Sequence, residues 1–106
     1  MTPVIFDPDA RAEFLAAIQY YEDCRQGLGR RFRLVVESAT RSIAEAPFRY
    51  RVVQPPFRRL LLTKFPYALI YTIEPDHIRV VAVAHTKRTP GFWLDRGPDM
   101  GDKPSE

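Results

Sequence analysis

The spacing of hydrophobic residues near the N-terminus predicts a short strand followed by a helix. "PVIF" is a brief, β-branched apolar run, which favours a strand. Downstream, one apolar helical face is indicated by residues that recur every three or four positions, namely Ala10, Phe14, Ile18 and Tyr21. Asp7 is suited to cap this helix, Pro8 to occupy its first position, and Gly27 and Gly29 to end it.

A second apolar stripe follows after a short link and predicts a second helix. Its members are Leu28, Phe32, Val35, Val36, Ala39 and Ile43. Pro47 ends the helix, because proline disfavours helical geometry in the residue before it. Two amphipathic helices joined so closely predict an antiparallel hairpin.

The remaining apolar runs predict three strands. "FRYRVVQPPF" is interpreted as irregular, because Pro55 and Pro56 oppose a long continuous strand. The strands are "RRLLLTKF", with Pro66 as a break, then "YALIYTI" and "IRVVAVAH", joined by an "EPDH" turn. The order predicts an α+β fold: an N-terminal strand and a two-helix antiparallel hairpin packed on a small antiparallel sheet. We expect the helices to cover one sheet face and leave a positively charged opposite face free.

Strict alternation along the last strand predicts which side chains share a face. Ile78, Val80, Ala82 and Ala84 are placed on one side, and Arg79, Val81, Val83 and His85 on the other. Both sets are mostly apolar, so this strand is expected to be central in the sheet. Arg79 and His85 are predicted to lie at the two ends of one face.

Length and composition place these elements in one domain, residues 4–96, followed by a polar tail, residues 97–106, that we expect to be disordered. The N-terminus lacks the features of a signal peptide, and no run approaches the roughly 18 apolar residues of a membrane span, so we expect a cytoplasmic protein without membrane contact. The lone Cys24 excludes an internal disulfide.

Positive charge is concentrated in the second half of the chain. The net charge is +3, yet residues 47–96 alone carry nine Lys and Arg against three Asp and Glu. Such a surface favours anionic partners. The candidate residues for target binding lie in or near "AVAHTKRTPGFWLDR" and are Arg79, His85, Lys87, Arg88, Trp93 and Arg96.

The order of elements and several local phrases resemble the RelE/ParE superfamily of bacterial toxins. "FDPDARAEFLAAIQYYE" and "GLGRRFRLVVESATRSIAEAP" are similar to the two family helices. "RRLLLTKFPYALIYTI" and "IRVVAVAHTKRTPGFWLDR" are similar to the sheet and ending of the ParE-like branch, often described as plasmid stabilisation proteins. The resemblance covers roughly residues 4–96.

This resemblance implies the toxin component of a type II toxin–antitoxin module. It implies a cognate antitoxin that lies across the toxin as an extended or helical segment, and operator binding only through that antitoxin. ParE-like members poison DNA gyrase, whereas RelE-like members cut messenger RNA on the ribosome. Neither activity implies a cofactor or a metal.

Three functions remain open at this point. The first is growth inhibition by binding a target such as gyrase. The second is a metal-independent mRNA endoribonuclease, with His85 as the acid–base group and Arg59, Lys64 and Arg88 stabilising the phosphate charge. Because no tyrosine follows Tyr71 to assist His85, we favour binding over cleavage. The third is an inert member whose basic sheet binds a partner.

Overall fold

Five strands and two helices follow one another in the computed structural model of the protein, which describes residues 2–97. The elements are β1 (Val4–Phe6), α1 (Pro8–Cys24), α2 (Leu28–Glu45), β2 (Arg51–Gln54), β3 (Phe57–Leu61), β4 (Tyr67–Ile73) and β5 (Ile78–His85), followed by a single 3₁₀ turn (Leu94–Arg96). The predicted tail from residue 98 onward lies outside the described residues.

The strands form one sheet in the order β1-β5-β4-β3-β2. Neighbouring strands are antiparallel except for β1, which pairs in parallel with β5. The two helices pack on one face, so the predicted α+β architecture is confirmed. The core between helices and sheet is built from the predicted apolar stripes, including Phe32, Val36, Ile43, Leu69, Tyr71 and Val80.

The prediction missed β2, and four strands rather than three follow the helices. Pro55 and Pro56 occupy the tight turn between β2 and β3 instead of interrupting a strand. The predicted "RRLLLTKF" strand is also shorter at its far end, because the chain leaves the sheet at Leu61 and Lys64 adopts a left-handed backbone with φ of 69°. The first error arises because Pro55 and Pro56 form a turn between two strands. The second arises because β3 ends at Leu61, five residues before Pro66.

Two expectations about the helix ends were also wrong. Helix α1 ends at Cys24, and Gly29 lies inside α2 rather than in a stop signal. A Cβ at Gly29 would lie 2.6 Å from the carbonyl oxygen of Ile18, so glycine permits the close crossing of the two helices. Glu22 of α1 accepts hydrogen bonds from the backbone N–H groups of Gly27 and Gly29, which caps α2 from the neighbouring helix.

A register shift in β5 overturns the predicted alternation of its side chains. Ile70 pairs with Ala82 but Tyr71 pairs with Val80, so Val81 is the extra residue of a bulge. Ile78, Val80 and Val83 therefore face the helices, whereas Ala82 and Ala84 face the opposite side. His85 packs its ring at 5.0 Å from Tyr67 of the helix-side core, and it does not share a face with Arg79.

The end of α2 is fixed to the sheet by Tyr71. Its side chain is fully buried, and its hydroxyl donates a hydrogen bond of 2.7 Å to the carbonyl oxygen of Pro47. Burial raises the pKa of Tyr71 to about 12, so the phenol remains protonated and able to donate. This bond holds the α2–β2 connection over the middle of the sheet.

Candidate functional site: a cavity at the end of the sheet

The sheet face opposite the helices is partly covered by the chain itself, which corrects the expectation of a free face. Phe92 and Trp93, in the segment after β5, pack against a second apolar cluster formed by Phe57, Ala68, Ile70, Val81, Ala82 and Ala84. We call residues 86–97 the C-terminal segment. Its aromatic residues convert an otherwise exposed apolar face into a second core.

Glu13 of α1 holds the C-terminal segment in place. Its Oε2 accepts hydrogen bonds from Arg96 Nη2 at 2.8 Å and from Arg88 Nη1 at 3.1 Å. Its Oε1 accepts from Arg96 Nη1 at 3.2 Å and from the backbone N–H of Val83 at 3.0 Å. Hydrogen bonding to Glu13 raises the pKa of Arg96, which favours the charged guanidinium.

The pair of Glu13 and Arg96 also completes the hydrogen bonding of β5. Among the described residues, strand β1 pairs with β5 from Ile78 to Val80, so beyond that point the edge of β5 that faces away from β4 has no strand beside it. There Glu13 accepts from the N–H of Val83, and Arg96 Nη1 donates to the carbonyl oxygen of Val81 at 2.7 Å. The side-chain pair therefore takes the place of a missing stretch of strand.

Arg79 forms a second, more buried attachment. Its Nε donates to both carboxylate oxygens of Asp7 at 2.9 and 3.0 Å, and its two Nη atoms donate to the carbonyl oxygens of Gly97 and Arg96. Asp7 is the N-cap residue of α1, but its side chain makes no capping hydrogen bond, contrary to the prediction. It is engaged by Arg79 instead.

These contacts correct the expected exposure of two predicted target-binding residues. Arg79 is only 6% exposed, and the side chain of Arg96 is 16% exposed. Both guanidinium groups are neutralised by carboxylates of the protein. The side chain of Arg88 is 48% exposed and makes two contacts. It forms an ion pair with Glu13, and its Cζ lies 3.6 Å from the ring centroid of Phe92 in a cation–π contact.

Four of the predicted site residues meet around one small cavity at the end of the sheet, which we call the sheet-end cavity. Its volume is about 120 Å³. Its polar walls are Arg59, His85, Thr86 and Arg88, and its apolar walls are Leu61, Ala68, Ile70, Ala84, Pro90, Phe92 and Trp93. Lys87 is exposed and lies in the chain between two lining residues, whereas Lys64 lies on a separate groove beside α2.

His85 borders this cavity with one ring nitrogen already engaged. Its Nδ1 accepts a hydrogen bond of 3.0 Å from the backbone N–H of Lys87, so the neutral ring carries its proton on Nε2. Tyr67 on the adjacent strand supplies a neighbouring hydroxyl-bearing ring that the sequence did not reveal as a partner. Burial is the main cause that raises the pKa of Tyr67, which makes its phenolate less accessible as a base.

The sequence interpretation assigned no role at this site to Asp7 or Glu13. Glu13 lies 83 positions from Arg96 and 75 from Arg88, and Asp7 lies 72 from Arg79. No local motif links partners so far apart in the chain. The only available signal was the presence of isolated acidic residues at the start of a helix in a chain whose later half is strongly basic.

A second surface of interest runs along α2. Two adjoining grooves of about 500 and 300 Å³ lie between α2, β3 and the β3–β4 loop and share Val35. We call them the α2 channel. Its walls include Leu28, Leu34, Phe65, Leu60 and Leu62. From the described part of the chain they also include the cations Arg31 and Lys64, and no acidic residue.

Within residues 2–97, no cluster of three or more His, Cys, Asp or Glu side chains is placed to hold a metal ion. Among the same residues, neither helix is long and apolar enough to cross a membrane.

Comparisons with known proteins agree with this architecture. The family model described as the ParE toxin of the type II toxin–antitoxin system, parDE, matches residues 4–90. A solved structure, the chromosomal ParDE TA system from P. aeruginosa, has a chain with a similar fold, with a TM-score of 0.62 and 13% sequence identity over 82% of this chain and 98% of that one. No curated protein matches the chain in sequence. Because the family model spans most of the chain, this protein belongs to the ParE toxin family of type II toxin–antitoxin systems.

Proposed function

We propose that this toxin arrests growth in the cytoplasm by binding a protein target, with DNA gyrase the leading candidate, and that it performs no chemistry itself. The observation that carries the proposal is the surface around the sheet-end cavity. It combines exposed cations, Lys87 and the partly exposed Arg88, with Arg59 and the aromatic rings of Phe92 and Trp93. Arginine and tryptophan are the residue types that dominate binding energy at protein interfaces.

RNA cleavage remains a second candidate because His85 lies beside Tyr67 and Arg88. Against it, Nδ1 of His85 is engaged by the backbone, and Tyr67 belongs to the helix-side core rather than to the cavity that holds Arg59. His85, Arg59 and Arg88 line one cavity, but the tyrosine hydroxyl that could complete an acid–base pair with His85 lies outside it. This arrangement favours binding over catalysis.

Reversing the charge of Lys87 tests the proposed target surface. The side chain is exposed and makes no ion pair with the described residues. Lys87→Glu is therefore expected to leave the fold intact while weakening the binding of the toxin to its target. We expect inhibition of purified gyrase supercoiling to require at least about tenfold more toxin, which corresponds to about 1.4 kcal/mol. Arg11→Glu on the exposed side of α1 is the matched control and is expected to keep full inhibition.

The same preparation separates the two candidate functions. Wild-type toxin is expected to inhibit supercoiling and to leave ribosome-bound mRNA uncut in a purified translation reaction. The nuclease would instead be established if wild-type toxin cut the mRNA at codon boundaries without affecting supercoiling, and if His85→Ala abolished these cuts.

The α2 channel is the proposed binding site for the antitoxin. Its apolar walls and the cations Arg31 and Lys64 fit an amphipathic segment that carries acidic residues. The channel follows α2 from Leu28 to Ser42, about 20 Å at the rise of an α-helix, which suits a helix of three to four turns. Binding there would leave the sheet-end cavity outside the direct contact.

Placing a charge in the channel tests this assignment. Leu34 is 43% exposed, so Leu34→Glu is expected to be tolerated by the fold but to weaken antitoxin binding at least about tenfold, because a carboxylate would be buried against an acidic partner. Toxicity in the absence of antitoxin is expected to persist. Leu15→Glu, at a residue 51% exposed on α1, is the control, and equal loss of antitoxin binding in both variants would contradict the assignment.

A further inference from the structure

We propose that the sheet-end cavity binds one carboxylate side chain, an aspartate or glutamate, of the toxin's protein target. The inference rests on the proposed function in that it requires a protein target. It does not require that the target be gyrase.

The size of the cavity sets the size of its occupant. Its volume is about 120 Å³, and a cavity of roughly 150 Å³ is known to hold a molecule as large as benzene. One amino-acid side chain therefore fits, whereas a nucleotide with its base and sugar does not. The cavity is suited to a single anchoring residue at the centre of an interface.

The charge of the cavity selects an anion. Arg59 and Arg88 line it, and none of the lining residues within 2–97 is acidic. Arg59 has no hydrogen bond to another side chain and no ion pair among residues 2–97, in contrast to Arg79 and Arg96. A guanidinium with free N–H groups binds a carboxylate through two parallel hydrogen bonds.

A second observation strengthens the need for an anion at Arg59. Arg51 on β2 pairs directly with Arg59 on β3, so the two side chains project from the same face of the sheet. Like charges directly opposite each other across two strands destabilise the pair. A bound carboxylate would relieve this repulsion, and the relief would add to the binding free energy of the complex.

The apolar walls favour a carboxylate on a hydrocarbon stem over a phosphate. Most of the lining residues within 2–97 are apolar, and they would contact the methylene groups of an aspartate or glutamate side chain. The indole Nε1 of Trp93, another wall residue, is buried and has no acceptor among the described residues. Trp93 therefore places an unpaired donor in the wall of a cavity proposed to bind an anion.

Binding of propionate, the side-chain analogue of glutamate, tests the proposal directly. Trp93 is the only tryptophan, so its fluorescence and its indole N–H resonance report on the cavity alone. With toxin freed of antitoxin, we expect saturable changes with a Kd on the order of millimolar, as befits so small a ligand. Propionamide, the uncharged isostere, is expected to cause no saturable change, and Arg59→Gln to weaken propionate binding at least about tenfold.

Inorganic phosphate is the competing anion in the same titration. Phosphate that binds through Arg59 more tightly than propionate would overturn the proposal in favour of a nucleic-acid contact. Absence of any saturable response to propionate, or a response unchanged in Arg59→Gln, would overturn it as well.

Growth arrest then links the cavity to the target. Arg59→Gln is expected to raise the toxin level required for arrest by at least about tenfold, whereas Arg41→Gln, at an exposed arginine of α2, is expected to have no effect. Full toxicity of Arg59→Gln, or loss of antitoxin binding in it, would overturn the assignment to the target. If wild-type toxin arrests growth without inhibiting gyrase, gyrase is excluded as the target. The propionate titration and the growth arrest by Arg59→Gln then still test whether the cavity binds a carboxylate.

Discussion

Replacing Arg79 by methionine is expected to lower the free energy of unfolding by about 3–5 kcal/mol, because the change leaves the carboxylate of Asp7 unpaired in a partly enclosed position. It also removes the donors that satisfy the carbonyl oxygens of Arg96 and Gly97 at the end of the C-terminal segment. A single domain typically has about 5–15 kcal/mol of stability, so the loss is a large fraction of the total. Urea unfolding followed by far-UV circular dichroism measures it.

Two further variants separate the ion pair from simple loss of packing. In the double variant Arg79→Met/Asp7→Asn, part of the stability is expected to return, because no buried charge remains without a partner. Arg58→Met is the matched control. Within residues 2–97, Arg58 donates to the backbone carbonyl oxygens of Phe48 and Tyr50 and to no carboxylate, so its loss is expected to cost about 1–2 kcal/mol. A loss below 1 kcal/mol in Arg79→Met would contradict a stabilising role for the pair.

The fold was largely predictable because its elements are encoded by local patterns. "YALIYTI" and "IRVVAVAH" became β4 and β5 with the predicted bounds, and the apolar stripes of both helices form the helix-side core. Strand β2 was not predictable in the same way. It is a short edge strand of four mostly exposed residues, and its apolar content does not distinguish it from a loop.

The side-chain placement within the sheet was predictable only up to the first irregularity. A period of two assigns faces correctly from Ile78 to Val80, and then the extra residue at Val81 reverses every later position. No residue near Val81 marks a bulge, since all neighbours are small or β-branched apolar side chains. Arg79 and His85 were therefore assigned to one face although they lie on different ones.

The candidate site was found as a set of residue types but not as a geometry. Arg59, His85, Arg88 and Trp93 do border one cavity, as a basic strand end with aromatic residues suggested. Asp7 and Glu13 determine which arginines remain available for a partner. Their contacts with the C-terminal half form because β1, which precedes α1, pairs with β5 in the sheet. The sequence predicts Arg79 and Arg96 as target-binding residues and Arg59 only as a phosphate-stabilising residue of the nuclease alternative. The structure shows that Arg79 and Arg96 are neutralised by Asp7 and Glu13, whereas Arg59 has no ion pair within residues 2–97.

Replacing Glu13 by glutamine is expected to release the C-terminal segment while the rest of the domain remains folded. Glutamine can still accept from the N–H of Val83, but it loses the charge that holds Arg88 and Arg96. Since hydrogen bonds to charged groups contribute about 1.5–3 kcal/mol, we expect a loss of stability in that range. Trp93, which packs on the sheet through this segment, is expected to become more exposed and its emission to shift to longer wavelength.

Loss of the segment's position is expected to remove toxicity, because Arg88, Phe92 and Trp93 would no longer form the walls of the sheet-end cavity. Antitoxin binding along α2 is expected to be retained, since Glu13 does not line the α2 channel. Glu22→Gln is the matched control in the same helix. Glu22 caps α2 and has no contact with the C-terminal segment, so this variant is expected to lose some stability while Trp93 emission and toxicity persist. Unchanged Trp93 emission and full toxicity in Glu13→Gln would mean that packing of Phe92 and Trp93 on the sheet positions the segment without help from the ion pairs.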